Sequence, residues 1–163
     1  MKVLWVDTGP LLDVLILELR ESSRGTYERL QGLVGVLTSQ ARVLAFLDRV
    51  SEFGELRYSS GTLVELDHLA RTRLPKGRPV DEPMQAFWSA FNTAIPSRLR
   101  RPLNCRPLNG SALGATDVAR FGPVDAHLLA AMQENTETHL VTIDRRLRGV
   151  AADRSPGRAF FPV

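Results

Sequence analysis

Val3-Leu4-Trp5-Val6 is an unbroken apolar run that stops at Asp7-Thr8-Gly9-Pro10. So short a run, closed by turn residues, predicts a strand buried on both faces, followed by a helix with Pro10 in its first turn. Leu11, Leu12, Leu15, Ile16 and Leu19 continue that helix. The polar residues 21–26 separate it from a second helical zone. There Leu30, Leu33, Val34 and Leu37, and then Val43, Leu44, Leu47 and Val50, recur at helical spacing. Glu55-Leu56-Arg57-Tyr58 predicts a short strand. Ser59-Ser60-Gly61-Thr62 offers caps for a helix carrying Leu63, Val64, Leu66, Leu69 and Ala70.

Residues 74–83 are rich in proline and charge, which predicts a loop. Residues 84–94 form a short aromatic helix with Phe87, Trp88 and Phe91. Pro96, Pro102 and Pro107 then predict an irregular stretch with an edge strand near 103–106. Gly122-Pro123-Val124-Asp125 opens a helix with Ala126, Leu128, Leu129, Ala130 and Met132. Thr138-His139-Leu140-Val141-Thr142-Ile143 predicts a strand ending at Asp144, and Ala159-Phe160-Phe161 a terminal strand. Helices alternating with short strands imply an α/β fold, a three-layer α/β/α sandwich around a mostly parallel sheet. No internal repeat or domain boundary stands out, so residues 1–163 read as one domain.

Composition narrows the classes. A chain of 163 residues with 44% hydrophobic content can bury a core unaided. One cysteine, Cys105, forms no internal disulfide, and three scattered histidines build no zinc cage. This suits a reducing cytoplasm. The early apolar stretch 10–19 is broken by Asp13 and Glu18, which excludes a membrane span, and Asp7 cuts off any signal-peptide core. A net charge of +3 and a pI near 9.6 favour a polyanionic partner mildly.

The acids carry the chemistry. Asp7 and Asp144 each follow a buried strand directly, at the carboxyl edge where open α/β sheets place ligands. Asp125 opens a helix, and Glu65 lies in the first turns of another. With right-handed crossovers, both reach the same rim. Carboxylates crowded together repel unless they are protonated or bridged by a cation. Magnesium or manganese suits such oxygen ligands and assists phosphoryl chemistry. Taken singly, each acid has a plainer role: Asp7 and Asp144 as helix caps, Asp125 at a helix's positive end, Glu65 facing solvent.

Four segments resemble the PIN-domain family, especially VapC-like ribonuclease toxins. They are Val6-Asp7-Thr8-Gly9-Pro10-Leu11-Leu12, Ser60-Gly61-Thr62-Leu63-Val64-Glu65-Leu66, Gly122-Pro123-Val124-Asp125-Ala126-His127-Leu128, and Leu140-Val141-Thr142-Ile143-Asp144-Arg145-Arg146-Leu147. The ending Phe160-Phe161-Pro162-Val163 is similar to the family's last strand. The resemblance implies a magnesium- or manganese-dependent endoribonuclease with Asp7, Glu65, Asp125 and Asp144 as metal-binding and catalytic acids. It also implies an RNA substrate, a small protein antitoxin and a homodimer. Two departures stand out: an extended helical region at about 21–53, and a proline-rich segment at about 74–110 without a familiar motif.

Thr8 and Thr142 are candidates to bond a carboxylate or a phosphate, with a local cap as the alternative. Arg145 and Arg146 follow the fourth acid and are candidates for RNA phosphate. Two basic stretches, Arg71, Arg73, Lys76 and Arg78, then Arg98, Arg100, Arg101 and Arg106, suit either a groove or a solvated face. Asp117 reads as a cap after Thr116, His127 and the aromatic trio as packing. Two other functions compete. One is a catalytically silent PIN-like module that binds RNA or protein. The other is an aspartyl-phosphate phosphatase or receiver, which Gly9 and the lack of paired first-strand acids disfavour.

Overall fold

Among the described residues five short strands make one sheet, parallel throughout: β1 Val3–Val6, β2 Glu55–Ser59, β3 Leu103–Arg106, β4 Thr138–Val141 and β5 Ala159–Phe160. Their order is β3-β2-β1-β4-β5. The computed structural model describes residues 1–30, 40–73 and 82–162. Leu33, Val34, Leu37, Lys76 and Arg78 lie outside the described residues.

Nine α-helices connect the strands among the described residues: α1 Thr8–Ser22, α2 Arg24–Leu30, α3 Gln40–Val50, α4 Ser60–Arg73, α5 Glu82–Ser89, α6 Ile95–Leu99, α7 Ala115–Phe121, α8 Pro123–Glu134 and α9 Arg145–Arg154. Alternation along the strands divides the core. Leu4, Val6, Leu56 and Tyr58 pack with Leu11, Leu15, Phe46 and Phe87 on one face. Val3, Trp5 and Leu140 pack with Leu128, Met132 and Leu147 on the other. Both faces are therefore covered by helices, as parallel sheets require, and the layering is compatible with a three-layer sandwich.

Some boundaries differ from the sequence pattern. The chain breaks only at Ser23, and α2 begins inside the polar stretch. Glu82 and Pro83, expected in a loop, open α5, where a first-turn proline loses no ladder bond. The stretch after Ala94 is helical rather than irregular. A π-helical segment, Ala90–Ala94, joins α5 to α6, and Ile95 N–H returns to Ala90 O. Pro96, with no N–H of its own, falls in the first turn of α6. The 103–106 edge strand is present as β3.

Asp13 on α1 and Arg42 on α3 form a buried bidentate pair at 2.7 and 2.8 Å. It ties the helices of one face together. No helix among the described residues is long and apolar enough to cross a membrane.

Candidate active site

The strand order changes direction at β1. Its neighbours on one side are β2 and β3, and on the other β4 and β5. The chain leaves β1 and β4 in opposite directions, and open α/β sheets place ligands at the carboxyl ends of such a strand pair. Asp7 and Asp144 both lie there. Val6 pairs with Val141, and Asp7 N–H donates to Val141 O at 3.1 Å. Thr142 is thereby set opposite Asp7. The Thr142 hydroxyl donates to Asp7 Oδ2 at 2.5 Å and accepts the Asp144 N–H at 2.9 Å. One fully buried threonine thus joins the two acids.

Both aspartates also act as helix caps, so the plainer role suggested by the sequence is real. Asp7 Oδ1 accepts from Thr8 N at 2.6 Å, and Asp144 Oδ1 accepts from Arg146 N and Leu147 N at 2.7 and 3.0 Å. Capping uses one oxygen, and Asp144 Oδ2 has no hydrogen-bond partner among the described residues. Glu65 does not merely face solvent, because its Oε2 accepts from the Thr8 hydroxyl on α1.

Two close approaches bring the helix starts together. A Cβ on Gly9 would lie 2.4 Å from Ile143 Cγ1, and one on Gly61 would lie 2.5 Å from Val124 Cγ2. Only glycine lets α1 seat against the turn after β4, and α4 against the start of α8. Asp125 and Glu65, each within a turn of such a contact, are carried to one rim.

Electrostatics show that the four acids sense one another. Burial pushes the Asp7 carboxyl up to about 6; hydrogen bonds from Thr142 and Thr8 oppose this, and the charges of Glu65 and Asp144 add to it. Asp125 is pushed up to about 7, first by burial and then by the charges of Asp7, Asp144 and Glu65, with Arg146 opposing. Burial dominates both shifts, and the neighbouring carboxylates add to it.

The donor set is all oxygen, which fits a hard divalent ion. Yet among the described residues no three acidic, histidine or cysteine side chains close around a common ion position. Asp7, Glu65 and Asp144 each give oxygens to threonine hydroxyls or backbone N–H groups. The acids are gathered, but not folded into a cage.

No family model, curated protein or solved structure matches this chain.

Of the other residues singled out, Thr8 and Thr142 bond carboxylates. Arg145 is exposed beside the cluster. Arg146 sits 4.8 Å from the Phe121 ring centre and donates to Arg120 O at 3.1 Å. Asp117 is not a cap: α7 is capped by Gly114, and Asp117 pairs with Arg154 of α9 at 2.6 and 2.7 Å. His127 packs edge-on against Trp5 and hydrogen-bonds Ser59 at 2.9 Å, and burial lowers its pKa. Phe87 and Phe91 are buried in the core with Trp88 beside them.

Most described members of the two basic stretches are already engaged. Arg71 pairs with Asp67, Arg98 with Glu18 and Glu21, and Arg106 with Glu55, while Arg101 binds the carbonyls of Phe53, Arg100 and Ser51. The pattern of the sequence missed α7 and its last residue, Phe121. A local signal for its end is Gly122, whose φ of 91° ends α7 and starts α8.

Proposed function

We propose that the chain is a magnesium- or manganese-dependent endoribonuclease of the PIN type, acting as the toxin of a toxin–antitoxin pair in the cytoplasm. The observation that carries it is the Thr142 bridge between Asp7 and the Asp144 backbone, at a sheet switch point where Asp125 and Glu65 add charge. Asp7, Glu65, Asp125 and Asp144 would hold the ion or ions. When bound, such an ion polarises a phosphodiester and lowers the pKa of water. The chain's own part is to supply the oxygens, to orient Asp7 through Thr142, and to orient Glu65 through Thr8. An acid pushed to about 7, as Asp125 is, can hold or release a proton near neutrality.

RNA is the proposed substrate, a small protein antitoxin the proposed regulator and a homodimer the proposed assembly, all three from the family resemblance. The direct test mixes full-length protein and RNA with manganese, with and without chelator. Manganese-dependent cleavage, abolished in Asp7→Asn, is expected. Cleavage that persists in excess chelator or in Asp7→Asn would sink the mechanism.

One observation favours a second reading, a PIN-like module that binds RNA or protein without cutting it. No three described ligands close around a common ion position. Calorimetry finding no magnesium or manganese binding at millimolar concentration would favour that module.

A further inference from the structure

Beside the four acids lies a cationic feature that the sequence concealed. Phe121 ends α7 and stands four residues before Asp125. Two guanidinium groups lie against its ring, Arg120 at 5.1 Å and Arg146 at 4.8 Å from the centre. Arg146 is held there by its bond to Arg120 O at 3.1 Å. The Asp117–Arg154 pair clasps α7 to α9, so the three residues come from two helices fixed to each other.

Among the described residues neither Arg120 nor Arg146 forms an ion pair, unlike Arg42, Arg98 or Arg154. Two like charges drawn to one ring repel each other, and an exposed ring face attracts each only weakly. An anion close to both would be attracted by the two charges together. Phosphate suits paired, planar guanidinium donors. The Arg146 backbone N–H donates to Asp144 Oδ1 at 2.7 Å, so this anion site adjoins the acids rather than standing apart.

We propose that Arg120 and Arg146, presented by Phe121, bind the phosphate next to the one at the carboxylates. The site then takes a nucleic acid strand, two consecutive phosphates at once, rather than a compound with a single phosphate. This rests on the nuclease reading but fails separately from it. The test is fluorescence anisotropy of a labelled single-stranded 12-nucleotide RNA with the full-length chain in chelator, across a salt series.

Arg146→Ala is expected to weaken binding about 5- to 10-fold and to reduce the slope of log affinity against log salt by about 1. Phe121→Leu, which keeps apolar bulk but removes the ring, should reproduce part of the loss, and Arg146→Lys should restore the slope but not the full affinity. Arg24→Ala, on α2 and paired with Glu28, is the unaffected control. Unchanged affinity and slope in Arg146→Ala would overturn the subsite, even if the wild type cleaves RNA. A loss in that variant, with a wild type that never cleaves, would keep the subsite and remove the nuclease. Failure of the wild type to bind RNA in chelator overturns the subsite and leaves the nuclease to the manganese cleavage test.

Discussion

Thr142 donates its hydroxyl proton to Asp7 Oδ2 at 2.5 Å across 135 residues of chain, and the same oxygen takes the Asp144 N–H. This hydroxyl is the only side-chain hydrogen bond described between the β4 turn and Asp7. It lowers the Asp7 pKa against the stronger push of burial.

Thr142→Val removes donor and acceptor together while keeping the shape. Asp7 should become harder to ionise, and the Asp144 N–H loses its buried partner. A stability loss of about 1–3 kcal/mol is expected by denaturant titration. Cleavage should fall at least tenfold, and Thr142→Ser should restore most of both. A variant as active as wild type would show that the bridge is incidental.

The raised pKa values of Asp7 and Asp125 make stability depend on pH in a defined direction. In both, the folded state holds the proton more tightly than the unfolded chain, whose carboxyls titrate near 3.8. Their stabilising contribution is fully present below that value, and is lost as pH rises through about 6 for Asp7 and about 7 for Asp125. Glu55 runs the other way. Its carboxyl is held down at about 2, first by Arg57, so its contribution is lost as pH falls from about 4.5 toward 2. Metal-free protein should therefore melt highest near pH 4–5 and lower at pH 8. Manganese should narrow the gap by stabilising the protein at pH 8. A melting temperature that rises from pH 5 to pH 8 without metal would contradict this.

Gly9→Ala tests the seat of α1 against the turn after β4. The new methyl would lie 2.4 Å from Ile143 Cγ1, so Ile143 must rotate or the turn must move. A cost of about 1–3 kcal/mol is expected, with lower activity because Thr142 and Asp144 flank Ile143. Shortening Ile143 to Ala in the same chain should recover activity. Equal additive losses in the double variant would show that the two residues do not meet.

Glu55→Gln separates stability from chemistry. Glu55 begins β2, at the sheet end opposite the acids, and accepts from Arg57, Asn104 and Arg106. Weakening this network should cost about 1–2 kcal/mol in urea titration. RNA cleavage below the melting range should stay unchanged, since none of these groups reaches the acids. An activity loss with full stability would mean that Glu55 serves the site.

Much of this was legible in the chain. The run Val3–Val6 ending at Asp7 announced a buried strand, and Gly122-Pro123-Val124-Asp125 announced a helix start. Local signals such as caps, turns and periodicity act over a few residues, so a sequence displays them directly. Where they misled, a longer-range force won. Pro96 suggested irregular chain, but the buried side chains of Phe91, Ile95 and Leu99 hold the helix across a π segment.

What the sequence determined by itself was the inventory: an α/β alternation, a core-forming composition, and four acids, three at element ends and Glu65 in the early turns of a helix. Only the tertiary structure decided that β4 lies beside β1, which seats Thr142 against Asp7, and that α7 meets α9, which gathers two arginines on Phe121. The reason is physical. Strand order and helix docking are settled by burial summed over the whole sheet, and no window of residues carries that sum.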